Sequence, residues 1–453
     1  MDDLSGPALQ QPDVSPAPIH APASGNLIPL PQPRSLSDDY VLASLDFIRL
    51  AGPDANRGPR PFPHPFPARM PLDVALTVIE QLSAPGDVVL DPMAGSGTTA
   101  AATLALRRHA IAFDSDPLAS MLAFARCQPA APERLLTAAA RVFTHARRNS
   151  AAIDLKEQHA RLAGLNEVMF LNRWFPAEAQ VQLFAIVNNI LVEPDLHTRT
   201  SLLALFSSMI ITKQGGVTFG RDVARSRAHY CPEKRPAVPL DEWLRRTPAF
   251  LRHAAAHKAS PHTNCVIARG DARALPLADG AADLILTSPP YLDAIDYMRA
   301  HRFTLVWLGY PLDALRDARG GAIGTERGLF ETTLPESLEA MLSESSADPR
   351  RKPMLRRFLA DILSSLRESR RCLKPSGLAV YVVGPSLLSR SRHDGGDVLA
   401  ALARHAGWEV VGQTERDFAP DRRSLPPPRR SRRTVAINNR MSCELYVILR
   451  NPE

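Results

Sequence analysis

The chain is poor in lysine, in aromatic rings and in paired cysteines. Of its 54 basic residues only six are lysine, and Phe, Trp and Tyr make up 6% of 453 residues. The five cysteines, Cys127, Cys231, Cys265, Cys372 and Cys443, are scattered without a C-x-x-C pair. That excludes a disulfide frame or a zinc site as a first reading and leaves small, inert thiols; no metal site is expected. No apolar run approaches the roughly 18 residues of a membrane span. The start, Met1-Asp2-Asp3, lacks the basic region of a secretory signal. A cytoplasmic enzyme without membrane contact is the expected class, long enough for two to three domains.

What is present is a basic balance, net charge +7 with an isoelectric point near 9.4. It favours a polyanionic partner. The excess of Arg over Lys also fits a coding bias, so charge alone decides little.

Composition divides the chain. Residues 1–34 carry eight prolines and too little apolar surface to offset ordering entropy, so a disordered tail is expected. Residues 35–127 read as helices around two short apolar strands. From 128 to 262 the alternation of strand and helix stops and helical segments dominate, among them Leu135–Arg148, Ala177–Leu191 and Thr198–Ile211. That stretch is too long for an ordinary crossover and is expected to form an inserted lobe. Residues 263–453 resume the strand and helix pattern and include a basic C-terminal loop with Arg422, Arg423, Arg429, Arg430, Arg432, Arg433 and Arg440.

Two strand ends carry the chemistry. The run Ala282-Asp283-Leu284-Ile285-Leu286 stops at Thr287-Ser288-Pro289-Pro290-Tyr291. Open α/β sheets bind ligands at the carboxyl ends of their strands. Prolines there fix φ and remove backbone donors, leaving carbonyls to accept hydrogen bonds from a substrate amine. Tyr291 offers a face on which a planar base can stack. Upstream, Asp87-Val88-Val89-Leu90 runs into Asp91-Pro92-Met93-Ala94-Gly95-Ser96-Gly97-Thr98-Thr99 and a helix. Gly95 and Gly97 let the backbone approach a ligand at a helix N-terminus. The next apolar segment ends in Asp114, placed to accept from the hydroxyls of a ribose. The turn is not G-x-G-x-x-G and no P-loop lysine follows, which disfavours dinucleotides and triphosphates. Asp271, after a third strand, is a candidate for facing an adenine amine.

Together these residues resemble the amino-methylating DNA methyltransferases, which modify cytosine N4 or adenine N6 with S-adenosylmethionine (SAM). Asp91 to Thr99 is similar to the family's D-P-F-x-G-S-G-T-T cofactor loop, with Met93 in place of Phe. Thr287 to Tyr291 is similar to its catalytic T-S-P-P-Y. His64-Pro65-Phe66-Pro67-Ala68-Arg69-Met70-Pro71 resembles the element that closes over the SAM methionine. The resemblance covers roughly residues 60–127 and 263–385. It implies a doubly wound, mostly parallel seven-stranded α/β sheet of the Rossmann-like methyltransferase type, with a seventh, antiparallel strand at the edge supplied by Cys443–Arg450. It implies SAM contacts from Phe66, Asp91, Pro92, Ala94, Gly95, Ser96, Gly97, Thr98, Asp114 and Asp271. Ser288, Pro289, Pro290 and Tyr291 are the implied catalytic set. Ser288 leans toward cytosine N4, because S-P-P-Y tends to go with cytosine and D-P-P-Y with adenine.

The partner expected is DNA, as a duplex with a flipped base or as a single strand. In the family an insertion at 128–262 marks target recognition, and the basic and aromatic group Lys213, Arg221, Arg225, Arg227 and Tyr230 is the expected contact. A restriction endonuclease partner is compatible with this type. Two other readings fit parts of the pattern: an RNA base-amine methyltransferase, and a non-catalytic SAM-sensing nucleic-acid binder. The intact amine cradle weighs against the second.

Overall fold

The structure, a computed structural model, describes residues 36–50, 61–66, 69–213, 215–225, 228–257, 262–290, 297–325, 333–345, 349–384, 394–417 and 443–452. The expected tail at 1–34, Tyr291, Arg227 and the arginines between Arg422 and Arg440 lie outside the described residues, as does the side chain of Arg225.

Among the described residues nine strands occur in chain order: β1 (Val88–Asp91), β2 (His109–Asp114), β3 (Gly220–Arg221), β4 (His229–Tyr230), β5 (Cys265–Arg269), β6 (Ala282–Thr287), β7 (Leu373–Val383), β8 (Glu409–Asp417) and β9 (Cys443–Arg450). Seven form one sheet in the order β5-β2-β1-β6-β7-β9-β8. The pairs from β5 to β7 are parallel, and β9 is antiparallel to both neighbours. The expected edge position of Cys443–Arg450 is therefore corrected. This strand lies one place in, between β7 and β8, and β8 forms the edge. The reason is burial: residues Cys443 to Leu449 are buried without interruption, whereas β8 carries the polar run Gln413-Thr414-Glu415-Arg416-Asp417 suited to an edge.

The strands are apolar on both faces because helices cover both. On β6, Leu284 and Leu286 point to one side with Val89, Val380, Tyr446 and the helix Leu72–Leu82. Ile285 points to the other with Leu90, Phe113, Tyr381 and the helices Lys352–Cys372 and Asp394–His405. The period-two alternation sorts neighbouring residues into separate cores. A small-residue layer, Ala100, Ala101, Ala110 and Ala112, seats the helix Thr98–Ala105 close to the sheet.

Between Cys127 and Cys265 the chain builds helices Pro132–Asn149, Leu155–Ala160, Leu165–Trp174, Ala177–Leu191, Leu196–Ile210 and Pro239–Ala256. The two-residue ladder of β3 and β4 also lies here, in a stretch where the sequence reading places no strand. The lobe's core is continuous with Leu118, Met121 and Leu122 of the helix Pro117–Cys127 and with Phe303 and Trp307 after β6. Trp307 meets Phe175 and Phe184 edge-on at 5.0 and 4.9 Å. The lobe thus packs directly on the segments that follow β2 and β6. Among the described residues no helix is long and apolar enough to cross a membrane.

Candidate active site at the carboxyl ends of β1, β2 and β6

β1 pairs with β2 on one side and β6 on the other. The strand order reverses there, so a crevice opens beyond their carboxyl ends. Both sequence motifs lie on it, joined directly: Thr287 donates its hydroxyl proton to Asp91 Oδ1 at 2.7 Å. Asp91 is 3% exposed and also accepts from the Met93 amide. Burial raises its carboxyl to about 6, against the opposing bonds from Thr287, Thr99 and Met93. Asp91 is therefore a tie between the two motifs, with its oxygens engaged inside the protein. Pro92 and Ala94 are buried beside it.

The loop after β1 is folded by its glycines. Gly95 and Gly97 have φ of 51° and 74°, a region that disfavours any residue with a Cβ. A Cβ on Gly97 would lie 2.9 Å from Ala123 Cβ, and one on Gly95 would lie 3.4 Å from the Phe66 ring. The Gly95 amide donates to Asp114 Oδ2 at 2.7 Å, and the Gly97 amide to the Ala94 carbonyl. These amides are spent within the protein, so the glycines act through shape. Ser96 Oγ is buried with no partner, a polar atom left for a ligand. Thr98 Oγ1 accepts from Arg126 at 2.8 Å.

Asp114 ends β2 as expected, partly open to the surface. Burial and the Asp116 charge push its carboxyl up to about 7, although the Asp116 and Gly95 amides favour the ionised form. Asp116 caps the helix Pro117–Cys127 through the Leu118 and Ala119 amides and meets His301 Nδ1 at 2.6 Å. Burial acts to raise Asp116, but His301 and the capping amides hold it below the usual range.

Phe66 lies over the loop, stacked on Tyr297 at 5.6 Å and tilted against His301 at 5.2 Å. The segment around Phe66 and the helix Tyr297–Leu305 thus converge on the loop. Ser288 is partly buried, and its Oγ donates to the Val382 carbonyl at 3.1 Å. Its one proton is committed there, so any further partner at that oxygen must donate to it. Pro289 is buried and Pro290 partly so. Asp271 pairs with Arg273 at 2.7 Å, which continues to Asp361 at 2.6 Å. In the lobe Lys213, Arg221 and Tyr230 are exposed.

Sequence reasoning missed Tyr297, His301 and Arg126. A sequence signal existed for Arg126: a lone arginine inside the apolar helix PLASMLAFARC that can only be buried with its neighbours. The His301 pairing with Asp116 spans 185 residues and has no local signature.

Comparison with known proteins agrees with this geometry. The family described as DNA methylase matches residues 37–123, which include the β1 loop and Asp114. The Type II methyltransferase M.MvaI of Kocuria varians is 26% identical over 359 residues, 71% of this chain and 75% of its own. A chain from a solved complex of the Haloferax volcanii Trm112 methyltransferase activator with a methyltransferase is 14% identical, covers 46% of this chain and 69% of its own, and has a TM-score of 0.21; so slight a likeness carries no argument. The match to the DNA methylase family over the segment that holds the loop after β1, with the similarity to a Type II methyltransferase, supports the amino-methylating DNA methyltransferase family for this chain and marks it as a methyltransferase.

Proposed function

We propose that the protein transfers a methyl group from SAM to the N4 amine of cytosine in DNA. The observation that carries this is the Thr287 to Asp91 bond, which sets the amine cradle at Ser288 and Pro289 beside the loop after β1. The residues present fit the cofactor. The loop has a shape only glycine permits, Ser96 Oγ lacks a partner, and Asp114 stands at the neighbouring strand end. When bound, SAM supplies a methyl activated on a sulfonium.

The protein's own part is positioning. Ser288 Oγ and the Pro289 carbonyl accept hydrogen bonds from the two N–H groups of the base amine, and Tyr291 stacks on the ring. Those hydrogen bonds draw the nitrogen lone pair out of conjugation and toward the methyl group; the one amine proton in excess after transfer passes to solvent. No covalent intermediate is required, so no nucleophilic cysteine is needed. The base must leave its stack or come from a single strand. Ser288, in place of Asp, favours cytosine.

Target contact is assigned to the lobe's exposed Lys213, Arg221 and Tyr230. Arg173 adds to them, its guanidinium 5.4 Å from the Tyr230 ring centre. Lys234 Nζ supports this face by donating to the Gly215, Thr218 and Gly220 carbonyls at 2.6 to 2.7 Å.

Incubation of DNA with SAM and the protein, followed by digestion to nucleosides and mass analysis, should yield N4-methylcytosine. N6-methyladenine instead would shift the base assignment, and product only on tRNA would overturn the DNA reading.

Asp114 predicts a pH dependence. Its carboxyl titrates near 7 in the folded protein against an ordinary 3.8. Between those values the folded state holds a proton that the unfolded state has lost, so stability falls as pH rises from about 4 to about 7. Ribose hydroxyls need the ionised acceptor. SAM affinity should therefore climb with pH up to about 7 and level off above, and Asp114→Asn should flatten that climb. Calorimetric titrations from pH 5.5 to 8.5 in wild type and variant check it; an equal slope in both moves the ribose contact elsewhere.

A further inference from the structure

The helix Leu165–Trp174 of the lobe is apolar outward as well as inward. Leu165 is 80% exposed and Met169 69%; four positions apart, they share one face of the helix. Arg173 follows four positions further on. Its guanidinium lies 5.7 Å from the Trp174 ring centre and 5.4 Å from that of Tyr230. The stripe therefore continues onto the β3–β4 ladder, where Arg221 stands opposite His229. The other exposed residues of the helix are Asn166 and Asn172. Its one carboxylate, Glu167, is buried and accepts from the Leu312 amide at 2.7 Å.

The inner side of this helix is locked in place. Phe170 and Trp174 meet Phe303 edge-on at 5.0 and 4.9 Å, and Phe303 belongs to Tyr297–Leu305, the first described helix after the catalytic turn. Large apolar side chains held in water on such a support mark a contact surface. Two of them are too few for a stable interface between folded proteins, which buries roughly 1,000 Å² or more. A DNA duplex, by contrast, takes single apolar wedges: a Leu or Met side chain inserted at a base step opens the stack and kinks the helix. Charge points to the same partner. The helix exposes no carboxylate, Arg173 ends the stripe, and Lys213 and Arg221 are exposed on the adjoining turn, which the Asp222 amide ties together by donating to the Lys213 carbonyl. The two Asn amides suit base edges in a groove.

We propose that Leu165 and Met169 form an apolar wedge that enters the stack of duplex DNA beside the base being extruded. The inference rests on the DNA reading above and deepens it: Arg173, Lys213 and Arg221 hold phosphates, and the wedge occupies the opened step. A base taken out of the duplex leaves its neighbours without a stacking partner, and two side chains of this size cover the surface so exposed. The lobe thereby lowers the cost of extrusion.

The probe is a plasmid that wild type methylates, as the masses of its nucleosides show. The plasmid is relaxed with a topoisomerase in the presence of S-adenosylhomocysteine and the full chain, either wild type or Leu165→Ala/Met169→Ala, and its topoisomers are separated. A wedge between bases unwinds the duplex, so wild type should leave the closed circle underwound. The double variant should lose most of that shift, and Leu165→Met/Met169→Leu, which keeps the apolar bulk, should retain it. The alanine variant should also bind the linearised plasmid about tenfold more weakly, as loss of two apolar contacts implies. The slope of that affinity against salt should not change, because no phosphate contact is lost, and SAM affinity should match wild type. Underwinding retained by the alanine variant overturns the proposal. Wild type that binds the plasmid without unwinding it does so too, even if the variants do not fold. A flattened salt slope would reduce the helix to a backbone contact, against the proposal. A fall from dimer to monomer in sedimentation with DNA affinity kept would give the pair to a second copy of the chain, also against it. If wild type methylates no DNA, the DNA reading itself fails, a distinct result.

Discussion

Ser288→Ala is expected to lower kcat by about two orders of magnitude, a loss of the size that follows from removing one preorganised partner of a reacting group, with SAM affinity near wild type. The hydroxyl proton goes to Val382 on the neighbouring strand, which aims the oxygen as an acceptor. Alanine removes that acceptor and leaves the amine one fixed carbonyl, so the base can turn about its remaining bond. The cofactor loop should feel little, because the link between the motifs runs through Thr287 and Asp91. Single-turnover rates with saturating DNA, set against SAM titrations, separate the two effects. A variant with normal single-turnover chemistry would remove Ser288 from the amine cradle. A variant with equal losses in turnover and SAM binding would make it a structural residue of the loop.

Gly97→Ala is expected to destabilise the protein by about 2–5 kcal/mol, read as a lower urea midpoint, and to weaken SAM binding as well. Two costs combine. A residue with a Cβ at φ of 74° loses roughly 1–2 kcal/mol. The added methyl would lie 2.9 Å from Ala123 Cβ and 3.0 Å from its Cα, and forcing atoms into a packed site costs about 1–3 kcal/mol more. Ala123 belongs to the rigid helix Pro117–Cys127, so the loop must be the part that moves. Gly86→Ala is the control: φ is 91° but nothing lies within 4 Å of the added Cβ, leaving the strain alone. If both variants lose the same stability, close packing of the loop on that helix is not what Gly97 serves.

Much of the sheet was legible in the residues. Apolar runs ending in Asp91, Asp114 and Thr287 mark β1, β2 and β6 because strands buried on both faces leave no room for polar residues. Helix boundaries drifted by up to three residues: Leu135–Arg148 is Pro132–Asn149 and Thr198–Ile211 is Leu196–Ile210, while Ala177–Leu191 falls where expected. The strand Leu373–Val383 is irregular: Ser376 sits at positive φ inside a ladder whose register shifts. Nothing local reports such an irregularity.

The sequence by itself determined the type of sheet and the two motifs at its strand ends. Those depend on short-range facts: which residues can be buried, where glycine alone can turn and where proline stops a ladder. Only the tertiary structure decided that Cys443–Arg450 lies inside β8, that Asp91 is tied to Thr287 across 196 positions, and that Asp271 is already held by Arg273. It alone decided that Arg126 lies buried and Arg69 partly so, with no carboxylate partner among the described residues. Pairing, burial and the field of neighbouring charges arise between residues that meet only when the chain has closed on itself, and no spacing along the chain records them.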